Sequence, residues 1–204
     1  MAIYSYKITR DFGFAPNPFY SMCTLATCKP KIRKFANVGD WVIGFGSAAK
    51  NSPLKNRIIY IMKVEKKITF NDYWCGEEYQ CKKPVMNGSL KQNYGDNIYH
   101  CENNEWIQVD SHHSLKDGTP NILNVNKDTS SNNVLISKTY WYFGKDAIDV
   151  PDELMDIIPE CRDYIKVEGL DEKIDEWVKT FQSSGFIGEP NLFNGEFKRY
   201  DGKS

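Results

Sequence analysis

Cysteine, histidine and aspartate are the residues through which this chain could do covalent chemistry. The six cysteines are Cys23, Cys28, Cys75, Cys81, Cys101 and Cys161, and the three histidines are His100, His112 and His113. A thiol next to an imidazole that is itself oriented by a carboxylate makes an activated nucleophile. Cys23 or Cys28 can serve as that nucleophile, with His100 or His112 as base and Asp11 or Asp40 as the orienting group. The pair His112-His113, in a serine-flanked loop, can act as acid, base or hydrogen-bond donor near neutral pH. No spacing forces these groups together. The phosphate loop GxxxxGK, the dinucleotide fingerprint GxGxxG, the deaminase HxE with PCxxC and the zinc-protease HExxH are all missing. The spacings Cys23-x4-Cys28 and Cys75-x5-Cys81 are poor zinc signatures, even with His100, Cys101, His112 and His113 as further donors. No metal and no cofactor is expected.

Non-covalent chemistry is better represented. The stretch from Ile3 to Gly46 mixes aromatics, cations, small hydroxyls and glycines at close range, which suits a flat, anionic ligand. Tyr4, Tyr6 and Phe19 can stack on a base, each stack contributing roughly 1–3 kcal/mol. Lys7, Arg10, Lys29 and Arg33 can neutralise phosphate, the arginines with a two-pronged fork. Asn17, Thr24, Thr27 and Ser47 can read base or ribose edges. On this reading Arg10→Ala and Arg33→Ala weaken binding with little loss of melting temperature.

These residues must be positioned by regular elements. Residues 3–10 read as a strand with Tyr4, Tyr6 and Ile8 on one face. Gly13 to Pro18 is a stiff, irregular loop. Phe19 to Cys28 fits a short helix or a strand, and the basic run Lys31–Phe35 fits a surface strand. Trp41–Phe45 is a strand, and Gly44 and Gly46 leave room for a backbone or a ligand. Ser47–Asn56 is a loop, and Arg57–Glu65 is a central strand, apolar on both faces. Ile68–Trp74 continues with a change of direction. A hairpin is expected from Ile98 to Val109, turning at Glu102-Asn103-Asn104. Residues 125–133 look polar and irregular, and Val134–Gly144 reads as one long strand. Leu170–Phe181 is the best helix, with Leu170, Ile174, Trp177, Val178 and Phe181 in one stripe.

Strands thus concentrate before residue 145 and helices after it. The fold class expected is α+β: a small curved sheet or PUA-like β-barrel covered by C-terminal helices. The expected organisation is a single domain over 1–204, with a mostly β core at 1–145 and a helical cover and tail at 146–204. At 204 residues, 41% hydrophobic and 14% aromatic, the chain can bury an ordinary core. No apolar run approaches the roughly 20 residues a membrane helix needs, and no signal peptide is visible, so cytoplasmic residence is the default. Net charge is −1. A basic front, residues 1–40, stands against an acidic rear between Asp146 and Glu176. The low net charge favours a small nucleotide over a long duplex.

Tyr4-Ser5-Tyr6-Lys7 with Asp11-x-Gly13-x-Ala15-Pro16-Asn17-Pro18-Phe19 resembles the start of the nucleotide modification associated domain 2 family. Cys23–Pro30 with Ile32-Arg33, Gly39–Gly44, Gly95–Tyr99, Val134–Ser137 and Tyr142–Gly144 extend the similarity over roughly residues 3–160. Gly39–Ile43 followed by Ile58–Val64 and Phe70–Trp74 is also similar to PUA-like modules such as the EVE and ASCH domains, small barrels that hold a base in a pocket. The resemblance implies a phage or bacterial protein linked to DNA or nucleotide modification. Its ligand would be a nucleotide or modified base, or a signalling nucleotide sequestered in defence or counter-defence, with DNA as a further partner. In a phage-encoded protein the compartment would be the host cytoplasm. An enzyme using the cysteine, histidine and aspartate groups above, or an interaction subunit docking through the acidic segment, are the alternatives.

Overall fold

The alternation in the first strand sets the architecture. In β1 (Ala2–Ile8) Tyr4, Tyr6 and Ile8 point to one side and Ile3 to the other, and both sides are buried, so layers pack on each face. The computed structural model describes residues 1–47, 52–160 and 163–202. The remaining strands are β2 (Cys23–Leu25), β3 (Trp41–Gly46), β4 (Ile58–Lys63), β5 (Lys66–Thr69), β6 (Tyr99–Glu102), β7 (Glu105–Gln108), β8 (Asn133–Ser137), β9 (Tyr140–Tyr142), β10 (Ile165–Glu168) and β11 (Gly185–Phe186). The α-helices are α1 (Pro30–Phe35), α2 (Phe70–Cys75), α3 (Leu90–Asn93), α4 (Ile122–Thr129) and α5 (Asp171–Val178).

The main sheet runs β10-β1-β3-β4-β9-β11, with β1/β3 and β9/β11 parallel and the other pairs antiparallel. A second sheet runs β2-β8-β5, and β6/β7 form a hairpin. The fold is α+β, but the sheet is open rather than a closed barrel. Tyr6, Val42, Tyr60, Met62 and Tyr142 pack towards Cys23 and Leu25 of β2, Leu135 of β8 and Ile32 of α1. On the opposite face Trp41, Ile43, Ile61 and Trp141 pack towards Leu154, Ile157, Ile174 and Val178. A third apolar group, including Phe12, Phe14, Phe70, Tyr94, Tyr99 and Val125, lies under the central loops. No helix among the described residues is long and apolar enough to cross a membrane.

Helices are not confined to the end of the chain: α1 to α4 precede residue 145, and β10 and β11 follow it. The stretch 134–144 divides, because the chain leaves the second sheet at Ser137 and enters the main sheet at Tyr140. Lys31–Phe35 belongs to a one-turn helix. Phe70–Cys75 is helical too, started by a reciprocal capping box between Thr69 and Asp72. The space at Gly44 and Gly46 serves packing: a Cβ there would lie 2.3 Å from the Tyr60 ring and 1.8 Å from the Leu54 carbonyl oxygen. The hairpin β6–β7 turns through Asn103 and Asn104, both with positive φ, as its sequence predicts. Cys161 and residues 48–51 fall outside the described residues. The acidic rear folds back onto basic residues: Lys31 pairs with Asp163, Arg57 with Asp149 and Lys63 with Asp175. Of the basic front, Lys31 thus lies beside Asp163 of the acidic rear.

Candidate functional site

Cys28 sits where β2 gives way to α1. Cys28 and Lys29 both adopt the left-handed conformation (φ 56° and 38°), and Pro30 then starts the helix, where its missing N–H costs nothing. Two successive left-handed residues that are not glycine hold roughly 1–3 kcal/mol of strain each, and such strain concentrates at functional positions. The surroundings over-determine the turn. The Cys28 N–H donates to Asp128 Oδ1 at 2.8 Å, and its carbonyl accepts from Arg33 Nε at 2.9 Å.

Asp128 comes from the inward face of α4. That helix is capped by the Asn121 side chain, and Asn124, Val125 and Asp128 are its buried residues. Asp128 Oδ2 lies 2.8 Å from His113 Nδ1 and accepts from the Tyr99 hydroxyl at 2.9 Å. The other imidazole nitrogen, Nε2, lies 3.8 Å from Cys28 Sγ. Sulfur and carboxylate therefore contact the two nitrogens of one imidazole, and donor atoms of the three side chains lie within 4.8 Å of one another. Burial pushes the His113 pKa down, but the Asp128 carboxylate, Cys28 and the hydrogen bonds to both outweigh it and hold the pKa up at about 9. Burial raises the Asp128 carboxyl, and its neighbours His113, Arg33 and Tyr99 more than reverse that, leaving it below the ordinary range.

Supporting contacts keep the ring in place. The His113 carbonyl accepts from Gln108 and Asn124, and Phe14 packs on the ring at a centroid distance of 4.7 Å. Arg33 is wholly buried and donates to the carbonyls of Cys28, Asp128, Ser131 and Asn133. It ties the cysteine turn to the end of α4.

Cys28 and His113 open onto a cavity of about 970 Å³, at the upper end of the usual range for small-molecule sites. Its walls include Cys28, His112 and His113, the aromatics Tyr6, Phe12, Phe14 and Tyr200, and the cations Lys7, Arg10, Lys29, Lys31 and Lys127. Glu160 and Asp163 are the acids on its rim. Arg10 lies over the Tyr200 ring at 5.0 Å, and Lys29 over the Tyr6 ring at 4.8 Å.

Of the residues expected to bind a nucleotide, Tyr6, Lys7, Arg10, Lys29 and Ser47 line this cavity. The others lie elsewhere. Tyr4 faces a separate shallow hollow with Phe35 and Tyr164. Asn17 is buried, accepting from Lys82 and donating to the Tyr94 carbonyl. Phe19 packs against Phe186 and Phe193. Thr24 donates to Asp96, and Thr27 is fully buried. Arg33 spends its guanidinium on backbone carbonyls and cannot reach a phosphate.

Among the groups expected to do covalent chemistry, only Cys28 is in the relay. Cys23 is fully buried, and burial pushes its thiol far up. His100 stacks on Trp74 and pairs with Glu102. Asp11 accepts from Tyr142 and Asn191, and Asp40 from the N–H groups of Ala2 and Asn37. The ring beside the Cys28 sulfur is that of His113 rather than His112, and the carboxylate that orients it is Asp128. The missed signal was the spacing Asn121, Asn124, Val125, Asp128, one face of a capped helix in a stretch that reads as loop. Cys75 and Cys81 are exposed. Among the described residues the one group of metal-type side chains is Cys28, His113 and Asp128 themselves.

A family model described as nucleotide modification associated domain 2 matches residues 1–197. No curated protein and no solved structure matches the chain.

Proposed function

Since the chain belongs to the nucleotide modification associated domain 2 family, we propose that it is a cysteine-nucleophile enzyme that makes or breaks an acyl linkage on a nucleotide or nucleobase. The observation that carries the reading is the contact of Cys28 Sγ and of the Asp128 carboxylate with the two nitrogens of the His113 ring, at the wall of a cavity with aromatic and cationic lining.

Each residue has a role in such a reaction. Asp128 accepts from His113 Nδ1, which fixes the tautomer and turns Nε2 towards sulfur. Sγ enters as thiolate with its proton held at Nε2. It attacks the acyl carbon and forms a C–S bond, and the carbonyl electron pair moves to oxygen. Collapse breaks the bond to the leaving nitrogen or oxygen, which takes the proton from Nε2. Water, or an acceptor amine, then gives a proton to Nε2 and attacks the thioester. The C–S bond breaks, its electron pair returns to sulfur, and acid or transferred amide is released. Aromatic faces would stack on the base, while Lys7, Arg10 and Lys127 offer positive charge to a phosphate.

A chelated metal fits less well. Nδ1 already bonds Asp128 and Nε2 faces the sulfur, so although donor atoms of the three side chains lie within 4.8 Å of one another, a metal would have to displace both contacts.

Alkylation tests the nucleophile without knowledge of the substrate. With iodoacetamide at neutral pH, peptide mapping should find Cys28 modified faster than the exposed Cys75 and Cys81. His113→Gln should slow Cys28 roughly tenfold or more. Nucleotides acylated on an exocyclic amine should leave an acyl adduct on Cys28, seen as intact mass and lost in Cys28→Ala. Slower labelling at Cys28 than at Cys75, unaffected by His113→Gln, would sink the reading. So would a stoichiometric bound metal found by elemental analysis.

A further inference from the structure

His112 does not take part in the relay, yet it is 5% exposed and lines the same cavity. Its Nδ1 lies 2.5 Å from the Lys198 carbonyl oxygen, which only accepts, so Nδ1 carries the hydrogen. Nε2 has no hydrogen-bond partner among the described residues, and it is not sealed from the cavity as the fully enclosed orphan atoms are. The ring cannot turn to find a partner. Phe12 and Phe14 pack on it at 5.2 and 4.8 Å, and Tyr94 at 5.4 Å.

We propose that His112 is a specificity residue: its Nε2 accepts a hydrogen bond from an exocyclic amino group of a nucleobase held in the cavity. This rests on the nucleotide reading above. A fixed, apolar-walled acceptor is satisfied only by a donor arriving with solvent or ligand, and amino groups such as adenine N6 and cytosine N4 present one in the base plane. Burial, the neighbouring His113 cation and the nearby Arg10 and Arg199 push the His112 pKa down to about 3, while the bond to the Lys198 carbonyl only partly opposes them. The ring is therefore neutral, and Nε2 remains an acceptor across the physiological range. The two adjacent histidines divide the work: His113 serves the thiol, and His112 reads the base.

The test is calorimetric titration of the full chain with AMP and CMP against purine riboside 5′-monophosphate and the 4-desamino analogue of CMP. The analogues lack the amino group and add nothing in its place. The amino compounds should bind about tenfold more tightly, the worth of one well-placed hydrogen bond in a dry site. His112→Asn keeps a donor for the Lys198 carbonyl and removes the cavity-facing acceptor, so the ratio should fall to about one while residual binding persists. If that variant does not fold, the wild-type ¹⁵N resonance of His112 Nε2 decides the matter. It should move upfield with AMP and stay put with the desamino analogue. Equal affinity for both members of each pair, or an unmoved resonance, overturns the assignment of His112. Failure of all four nucleotides to bind overturns the nucleotide reading instead, and leaves the Cys28 alkylation result standing.

Discussion

Arg33 offers the sharpest test of how the site is held. Sequence reading makes it a phosphate ligand whose loss would spare stability. In the fold its guanidinium is buried with no exposure, and it donates from Nε to Cys28 at 2.9 Å, from one terminal nitrogen to Ser131 at 2.9 Å and Asn133 at 2.6 Å, and from the other to Asp128 at 2.5 Å. Burial lowers its pKa, and the Asp128 carboxylate opposes that shift. Arg33→Ala leaves these carbonyls without their donor, removes a buried cation close to Asp128 and opens a hole. Breaking a buried ionic cluster by deleting one partner costs about 3–5 kcal/mol. For a chain of this length that corresponds to a melting temperature lower by roughly 6–20 °C. Arg33→Lys keeps the charge but can serve fewer of the carbonyls, so it should fall between. Circular dichroism melts measure the effect, with the Cys28 alkylation rate as a second readout that should fall in step. Arg10→Ala is the control, since Arg10 lies at the cavity wall and its loss should leave the melt nearly unchanged. If Arg33→Ala melts within about 2 °C of wild type, the account of Arg33 as the tie between the cysteine turn and α4 is refuted.

Other outcomes follow from the same contacts. His113, raised to about 9 from an ordinary 6.5, contributes about 3 kcal/mol that is whole below pH 6.5 and drains away as pH rises through about 9. Because Lys82, lowered to about 8, slopes the other way above that pH, the measurement is the difference in urea stability between wild type and His113→Asn. That difference should shrink between about pH 6.5 and 9, and a pH-independent difference would contradict the relay. His112 and Asp128 are depressed, so their contributions stand above their unfolded values and are lost as pH falls; His112→Asn should flatten the decline below pH 6.5. Lys82, fully buried, holds the Asn17 carbonyl and side chain and the Met22 carbonyl, so Lys82→Ala should cost about 3–5 kcal/mol in chemical denaturation. Gly44→Ala should cost about 1–3 kcal/mol through collision with Tyr60 and Ile8, and an unchanged midpoint would mean that the bulge beside it yields.

Local patterns were legible where one physical cause dominates. The hairpin at residues 99–108 follows from asparagines that tolerate positive φ, and α5 from Ile174 and Val178 on one stripe. Sequence alone leaves Cys28 and Cys23 as equal candidates for a reactive thiol, and burial separates them. The partners of Cys28 were not legible either. His112 and His113 are adjacent, and only the packing of Phe14 and the approach of α4 decide which ring meets sulfur. Asp128 stands 100 residues from Cys28, in a polar run whose helix is stabilised mainly by tertiary contacts. Arg33 looks solvated because Lys31 and Lys34 flank it, yet in a one-turn helix it shares the inward side with Ile32. Gly44 invited a ligand and received a tyrosine ring. Stacking partners such as Phe19 and hydroxyls such as Thr24 were drawn into the interior, a competition that short-range composition does not record.

The carboxylate of Asp128 grips the two halves of the relay at once, one oxygen on the backbone of Cys28 and the other on the ring of His113. The thiol-bearing turn and the imidazole are thus registered against a common peg rather than against each other. Any displacement of α4 carries both along together, so the gap between sulfur and nitrogen tolerates breathing of the surrounding shell. The same arrangement withholds the amide hydrogen of Cys28 from incoming substrate. In the proposed reaction, the negative charge that builds on an acyl oxygen would therefore be met by groups across the cavity rather than by this amide.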